Sequence, residues 1–258
     1  MTKIINVRKK RRKRKLSNVL FDIFLYTFLI LVAAVTLVPF LQVLTISMSP
    51  QSVVAKSGLH LIPTKFDFSG YEKVFHYPLV WTAYLNTIIR AALGTGLSVL
   101  LYIIGAYPLS KKYLPHKKAW TLFVIFTMYF SGGMVPYYLQ LKNLGMLDHF
   151  IVYIIPGMLN VYYMILIRSY IYGIPESLVE SAKLDGANDL WVYGRIILPL
   201  SKPVVMTIVL FASIGHWNAW FDSRLYTNSM NLKTLQLVLV EILNQFQTSG
   251  TNGATLAQ

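Results

Sequence analysis

Cysteine is absent from this 258-residue chain, and acidic residues are scarce. Without thiols the chain has neither disulfides nor thiolate metal sites. Charged residues make up only 13% of the sequence, hydrophobic residues make up 55%, and the mean hydropathy is +0.52. A water-soluble globule of this length cannot bury so much apolar surface. A soluble domain is therefore excluded, and lipid is the expected solvent for much of the chain.

Five apolar stretches are long enough to cross a bilayer. A helix needs about 20 mainly apolar residues to span a hydrocarbon core of roughly 30 Å, and in lipid the backbone must satisfy its own hydrogen bonds. The stretches are residues 19–46, 83–109, 119–142, 149–172 and 199–221. We therefore predict an all-α, polytopic membrane bundle of about five transmembrane helices, with the transmembrane domain at residues 19–221.

Lysine and arginine are distributed unequally between the two sides of this bundle. The N-terminal segment, residues 1–18, contains nine of them, and the run from Arg8 to Lys15 is uninterrupted. Together with the connections after the second and fourth spans, that side carries 17 lysine and arginine residues, whereas the other side carries six. The positive-inside rule then places the N-terminus in the cytoplasm. A basic run can also bind nucleic acid, but its position beside a span favours a topology anchor on anionic lipid, and we predict no nucleic-acid partner.

The connection between the fourth and fifth spans, residues 173–198, is the most organised of the predicted loops. Ser177 to Glu180 matches a capping box and predicts the start of a short helix. Asp185-Gly186 favours a turn, after which Asn188 or Asp189 can cap a second helix. The second helix would present one apolar stripe, formed by Leu190, Tyr193, Ile196 and Ile197. Such a cytoplasmic protrusion would suit a groove on a partner protein, and an interfacial hairpin without a partner has the same pattern.

The same connection contains the residues of a known motif. Glu180-Ser181-Ala182 is followed by Gly186 and, after nine intervening residues, by Ile196-x-Leu198-Pro199. The pattern resembles the EAA motif of permease subunits in binding-protein-dependent ABC importers, with Ser181 in place of the usual middle alanine. Asp185-Gly186-Ala187 and the segments 131–139 and 142–147 resemble the carbohydrate-uptake branch, which includes the maltose permeases. They are most similar to oligosaccharide permeases of Gram-positive bacteria.

This resemblance implies a fold, a function and a set of partners. The fold would be that of a type I ABC importer permease, forming half of a pore for a saccharide, and an oligosaccharide in particular. The chain itself would not be an enzyme: it has no P-loop, and two cytoplasmic ATPase subunits, shared among importers in related systems, would bind ATP and Mg²⁺. A second homologous permease, an extracellular substrate-binding protein and membrane lipid are the other expected partners, in the plasma membrane of a Gram-positive bacterium.

The resemblance also identifies candidate residues for coupling to the ATPase. In the family, the first helix of the motif docks in a cleft of the ATPase, and the end of the motif joins this helix to the next span. The corresponding residues here are Glu180, Ser181, Ala182, Asp185, Gly186, Ile196, Leu198 and Pro199.

Residues 222–258 follow the fifth span and are predicted to form an external loop. Its apolar residues at helical spacing are Leu235, Val238, Leu239, Ile242, Leu243 and Phe246. Because about twelve residues are too few to span a bilayer, we expect an amphipathic helix at the outer surface. This helix would face the binding protein or simply pack on the bundle. The resemblance further implies a sixth span, which does not occur before Gln258.

Aromatic and amide side chains are candidates for contacts with a sugar along the substrate path. The candidates are Asn160, Tyr162, Tyr163, Trp217 and Asn218. Aromatic residues near helix ends also form interfacial belts, which is the alternative for Trp217. Arg90 lies inside the second span and is predicted to face the bundle interior, paired with a carbonyl or a partner subunit, because a charge in lipid is costly. The five histidines lack metal-ligand spacing, so no metal site is predicted.

Two other functions are compatible with a membrane bundle. An ion-driven secondary carrier would work alone, but apart from Arg90 and Asp22 the spans lack the charged pairs expected for ion coupling, and inverted repeats are not evident. A membrane-anchored scaffold would leave the pattern from Glu180 to Pro199 unexplained. We therefore predict a permease subunit, with the secondary carrier as the alternative.

Overall fold

The computed structural model describes residues 16–54 and 58–255, and every regular element in these ranges is helical. The all-α prediction is therefore confirmed for the described residues. The chain divides into two compact units, residues 1–76 and 77–258. Most of the predicted N-terminal segment lies outside the described residues.

The first unit is dominated by one long apolar helix, α1 (Leu16–Ser47). Its part Leu20–Ser47 is long and apolar enough to cross a bilayer, and its large apolar side chains are exposed all around the helix, as they would be in lipid. The first predicted span is thereby confirmed. Two short helices follow, α2 (Gln51–Val54) and α3 (Ser69–Phe75).

The central helix of the second unit is α4 (Pro78–Ser110), the second predicted span. Its buried residues recur every three or four positions and include the small residues Ala83, Gly94 and Ala106. This face packs against α7 (Val161–Tyr172) and α11 (Lys202–Asn218). The approach of α11 is so close that a Cβ atom at Gly94 would lie 2.6 Å from the His216 ring. Small residues on α4 therefore set how closely these helices pack.

One of the predicted spans is bent, and a second bend precedes α11. The third predicted span consists of α5 (Lys117–Tyr129) and α6 (Met134–Asn143), which meet at an angle of 104°. The break falls at Ser131-Gly132-Gly133, a sequence that favours a turn. The helical stretch Asp189–Leu200, which lies almost wholly in the predicted connection 173–198, meets α11 of the fifth predicted span at 72°. Pro203 lies in the first turn of α11, where its fixed φ is compatible with a helix start but not with an unbroken helix.

The fourth predicted span, residues 149–172, is not a continuous helix. A short 3-10 turn, Phe150–Tyr153, is followed by irregular chain, and α7 begins only at Val161. Pro156 interrupts the helical hydrogen bonds, and the Asn160 side chain caps α7 by accepting a hydrogen bond from Tyr163 N at 3.3 Å. With 12 residues, α7 is too short to cross a bilayer alone. The prediction of a full-length helix here is therefore wrong: in the described residues two helices reach full spanning length, and two further pairs are bent.

The chain continues after α11 with α12 (Phe221–Tyr226) and α13 (Leu235–Thr255). The predicted amphipathic helix is present and starts where expected, but it runs past Phe246 to Thr255. Of its apolar residues, Leu237 and Val238 are buried whereas Leu239 and Leu243 are exposed. The reason is that the start of α13 packs against α4, so tertiary contact decides which face turns inward.

Candidate functional site

The first part of the EAA-like motif, Glu180 to Gly186, lies in a helical hairpin, residues 176–192, which we call the EAA hairpin. It consists of α8 (Glu176–Leu184) and α9 (Asp189–Val192). A π-helical turn, Tyr193–Ile197, and the short helix α10 (Leu198–Leu200) then lead into α11. Leu198 and Pro199 therefore join the hairpin to the following helix, as the resemblance implies.

Gly186 ends α8 in a Schellman turn. The N–H of Ala187 donates to the carbonyl of Ala182 at 2.9 Å, and the N–H of Gly186 donates to that of Lys183 at 3.0 Å. Gly186 has a φ of +85°, in the left-handed region, where a residue with a Cβ atom pays about 1–2 kcal/mol. Nothing in the described structure lies within 4 Å of the position that a Cβ would take. This side of the turn is thus open to a partner.

The two helices of the EAA hairpin, α8 and α9, are capped differently at their N-termini. Asn188 caps α9, since its side-chain oxygen accepts a hydrogen bond from Trp191 N at 2.8 Å, which confirms one of the two predicted caps. The predicted capping box at Ser177 is wrong. α8 begins at Glu176, directly after Pro175, and has no side-chain cap. The fixed φ of proline prepares a helical start that needs no capping side chain.

An open cleft of about 580 Å³ runs along the EAA hairpin. The structure brings five of the eight predicted coupling residues together in its lining, while Glu180 is exposed on the adjacent turn of α8. Ala182 is buried at the floor, in contact with the main hydrophobic core. The lining residues are Leu178, Ser181, Ala182, Asp185, Gly186, Ala187, Asn188, Trp191 and Ile196.

The tip of the EAA hairpin exposes large apolar side chains. Leu184 is 89% exposed, Leu190 is 82% exposed, and Trp191 is half exposed. Leu190, a member of the predicted apolar stripe, is therefore not covered by the core, whereas Val192 is fully buried. Exposed apolar groups on a projecting element are typical of protein docking surfaces. Sequence reasoning missed Leu184 and Trp191, because helical spacing does not show how far a hairpin projects from the core.

The EAA hairpin is tied to the end of α4 through an aromatic contact. The ring centroids of Tyr107 and Tyr193 lie 4.5 Å apart, and the Tyr107 hydroxyl donates to the carbonyl of Asp189 at 3.4 Å. Tyr193 belongs to the turn that follows α9. The last turn of α4 and the second half of the hairpin therefore pack as one unit.

Charged pairs add to this attachment. Lys112, just after α4, forms an ion pair with Glu176 at the start of α8. Lys183 Nζ lies 2.9 Å from Asp189 Oδ1 and 5.2 Å from the centre of the Tyr113 ring. The hydrogen bond from Lys183 lowers the pKa of Asp189, and the same bond raises the pKa of Lys183. Both groups are therefore charged at neutral pH.

A second polar cluster lies inside the bundle, around Arg90 on α4. Both terminal nitrogens of its guanidinium bind the carboxylate of Asp222 on α12. One of them also donates to the carbonyl of Ala219 at 3.3 Å, and the guanidinium carbon lies 4.8 Å above the Tyr153 ring. The Arg90 side chain is 4% exposed and that of Asp222 26%. Arg90 faces the interior and binds a carbonyl as predicted, but its main partner is a carboxylate of the same chain.

Tyr153 extends this cluster into the segment that follows α11. Its hydroxyl donates to the carbonyl of Leu232 at 2.7 Å and lies 2.9 Å from the hydroxyls of Ser223 and Thr227. We call residues 219–238 the return segment. The phenol thus holds three points of the return segment around one buried oxygen, consistent with the rule that buried polar groups find hydrogen-bond partners.

The return segment is attached to the bundle at three further points. The Thr87 hydroxyl accepts a hydrogen bond from Leu235 N at 2.9 Å, and the Asn86 amide donates to the carbonyl of Asn231 at 2.6 Å. Asp148 accepts hydrogen bonds from the Ser229 hydroxyl at 2.6 Å and from the backbone N–H groups of Asn228 and Ser229. These bonds, with that from the Ser229 side chain foremost, lower the pKa of Asp148.

The candidate substrate-path residues form two separate groups. Tyr162 and Tyr163 lie ring to ring, and Tyr163 also contacts Tyr102 on α4 at 5.9 Å between centroids. Trp217 instead meets Tyr84 edge to face at 6.1 Å. Tyr84 and Tyr102 are about 27 Å apart along the axis of α4 at the usual helical rise. Of the two amide candidates, Asn160 caps α7 and Asn218 is exposed at the end of α11.

Comparisons with known proteins place these features in a family. The chain matches the family described as binding-protein-dependent transport system inner membrane component over residues 3–257. It is 35% identical over 238 residues to the polygalacturonan/rhamnogalacturonan transport system permease protein YtcP of Bacillus subtilis (strain 168), covering 92% of this chain and 82% of YtcP. It is 36% identical over 236 residues to Protein LplC of the same organism, covering 92% of this chain and 80% of LplC.

A solved structure has the same fold. One chain in the crystal structure of a bacterial ABC transporter involved in the import of the acidic polysaccharide alginate superposes with a TM-score of 0.83 at 33% sequence identity. The match covers 89% of this chain and 82% of the other. These comparisons confirm the predicted type I ABC permease fold and give no support to the alternative of an ion-driven carrier. The chain belongs to the binding-protein-dependent transport system inner membrane components and is a permease subunit of an ABC importer.

Proposed function

We propose that the EAA hairpin of this permease docks on a separate cytoplasmic ATPase and that the chain forms half of the translocation pore. The observation that carries the proposal is the cleft along the hairpin, because five residues of the motif line it beside an exposed apolar tip. The ATPase would bind ATP and Mg²⁺ and hydrolyse ATP. The hairpin would transmit the resulting movement to the bundle.

The docking chemistry follows from the exposed groups of the hairpin. Leu184 and Leu190 would enter an apolar groove of the ATPase, since such exposed side chains gain most from burial. Glu180 is exposed beside the cleft and would meet a basic residue of the ATPase. At Gly186 the open space would let the ATPase approach the backbone closely.

The complete importer would contain this chain, a second homologous permease, two ATPase subunits and an external substrate-binding protein. The N-terminus and the hairpin would lie on the cytoplasmic side of a bacterial plasma membrane, since the N-terminal segment is rich in lysine and arginine and Arg168, Arg195 and Lys202 flank the hairpin. The relatives from Bacillus support a Gram-positive host. The return segment and the segment after α1 would then face outward, toward the binding protein.

The substrate would be an acidic oligosaccharide. YtcP is named for polygalacturonan and rhamnogalacturonan, and the superposed structure belongs to an importer of the acidic polysaccharide alginate. The aromatic pairs at Tyr162–Tyr163 and at Trp217–Tyr84 offer ring faces of the kind that stack on sugars. Contact of Asn160, Tyr162, Tyr163, Trp217 and Asn218 with the sugar stays a prediction.

Mild-detergent purification of the chain from its native membrane, followed by mass spectrometry, tests the assembly. We expect an ATPase with a Walker motif and a second permease to co-purify, and the ATPase to be lost when Gly186 is changed to aspartate. Recovery of the chain alone, with transport that survives ATP depletion, would contradict the proposal.

Transport by the purified complex in proteoliposomes tests the substrate. With its binding protein present, we expect ATP-dependent uptake of oligogalacturonates. The matched neutral galacto-oligosaccharides of the same length are the control, and faster uptake of these would reject the acidic class while leaving the assembly intact.

A further inference from the structure

We propose that α4 is the element that transmits movement from the EAA hairpin to the return segment, and that Arg90 and Asp222 are the positioning residues that make the return segment move with it. The inference rests on the proposed function, because it requires that an ATPase displaces the hairpin. It adds a pathway through the permease and names the two residues on which the outer end of that pathway depends.

The inner end of α4 is held to the hairpin by contacts of different kinds. The Tyr107 ring contacts the Tyr193 ring, the Tyr107 hydroxyl donates to the carbonyl of Asp189, and Lys112 pairs with Glu176. These contacts involve both the first and the second helix of the hairpin. A displacement of the hairpin as a body therefore carries the end of α4 with it.

A single helix, α4, connects the hairpin region with the return segment. α4 has 33 residues, which corresponds to about 50 Å at the usual rise per residue. Its one internal proline, Pro108, lies in the last turn, where a kink leaves the rest of the helix straight. Along most of its length α4 is packed against α7 and α11. It therefore contacts both the hairpin region, at Tyr107, and the return segment, at Arg90, two points about 26 Å apart along its axis.

The outer half of α4 is held by the buried ion pair, 12 residues after the start of the helix. A guanidinium that binds both oxygens of one carboxylate fixes the orientation of the two groups as well as their separation. Because Arg90 is almost fully buried, solvent screens this attraction little. Tyr153 packs on the guanidinium and holds the return segment through its hydroxyl. The return segment cannot slide along α4 unless the pair opens.

The hydrogen bonds at Thr87 and Asn86 lie three and four residues before Arg90, on the same side of α4. They attach the return segment within one helical turn of the ion pair. A helix that is attached at two distant points to separate elements links their positions mechanically. In this importer the ATPase would thus set the position of the outer surface that meets the binding protein.

The test removes both charges together, since a buried ion pair can often be replaced by apolar residues of similar volume without loss of the fold. Arg90→Met with Asp222→Leu is made in the complete importer, purified with its partners and reconstituted in proteoliposomes. ATP hydrolysis without binding protein and uptake of oligogalacturonates with binding protein are both measured per assembled complex. Lys142→Met, which removes an exposed cation from α6, is the matched control.

We expect basal ATP hydrolysis to stay within about twofold of wild type while uptake falls on the order of tenfold, the size of a typical coupling between distant sites. Asp222→Glu keeps the charge and should retain most of the uptake. Should the double variant fail to assemble, Asp222→Asn, which keeps the shape and loses the charge, is compared with Asp222→Glu instead.

Wild-type uptake by the charge-free variant would overturn the proposal, because the pair would then be dispensable for coupling. An equal fall of basal ATP hydrolysis and uptake would also overturn it, since the pair would then serve only to hold the complex together. Both results leave the proposed function standing, because that function depends on wild-type uptake and on the ATPase found in the complex.

Discussion

Substitutions at Gly186 separate the local cost of the turn from its role in docking. At a φ of +85° an alanine costs about 1–2 kcal/mol in backbone strain. The two Schellman hydrogen bonds are backbone to backbone and stay available to any residue at this position. A Cβ would meet nothing within 4 Å in the described structure. The cost to the fold is therefore small, and we expect Gly186→Ala, Gly186→Asn and Gly186→Asp all to reach the membrane in normal amounts.

The effect on the assembled importer should be much larger. If the ATPase packs on the open side of Gly186, the aspartate variant leaves a charge without a partner in the contact, at a cost of about 2–5 kcal/mol. Binding of the ATPase would then weaken by at least about thirtyfold. Uptake should be abolished by Gly186→Asp and reduced least by Gly186→Ala, which adds the smallest side chain.

The assay combines uptake of oligogalacturonates, immunoblotting of the membrane fraction and recovery of the ATPase in a pull-down. Normal uptake by Gly186→Asp would refute the docking argument. So would better function of the asparagine variant than of the alanine variant. Asparagine tolerates the left-handed region better than alanine does, and that order would mean that backbone strain alone is the reason for glycine here.

Three further predictions concern packing, capping and pH. Gly94→Ala should lower the free energy of unfolding in detergent by about 1–3 kcal/mol, because the added methyl group overpacks the contact with α11. At Gly96 an added Cβ meets nothing within 4 Å, so Gly96→Ala should raise that free energy by up to about 1 kcal/mol. Equal effects of the two substitutions would contradict the packing argument. Asn188→Ala should lower the stability of the protein by about 1 kcal/mol and speed hydrogen exchange in the first turn of α9. Ser177→Ala removes no cap and should leave the exchange in the first turn of α9 unchanged. The lowered pKa of Asp148 stabilises the native state above the ordinary carboxylate pKa of about 4. That contribution is lost as the pH falls through the lowered value. Amides 228 and 229 should therefore stay protected from exchange at pH 5 and lose protection only as the pH falls below the ordinary carboxylate pKa and through the lowered pKa of Asp148, a change that Asp148→Asn should abolish.

Local rules account for what the sequence by itself determines. The length and apolarity of the first two spans need no tertiary information, because a bilayer requires only enough apolar residues in a row. The Asn188 cap is equally local, since donor and acceptor are three residues apart. The turn at Gly186 follows from Asp-Gly, and the family follows from the spacing of the EAA-like motif. These local features are enough to predict the hairpin and the residues that form it.

Features that depend on distant contacts could not be predicted in this way. The cost of a charge in lipid predicts that Arg90 faces inward, but its carboxylate lies 132 residues away in sequence and is brought to it only by the packing of the return segment on α4. The buried face of α13 and the exposure of Leu190 depend likewise on which neighbours are present. Hydrophobic spacing identifies a face of a helix, whereas the fold decides whether that face meets the core, lipid or a partner.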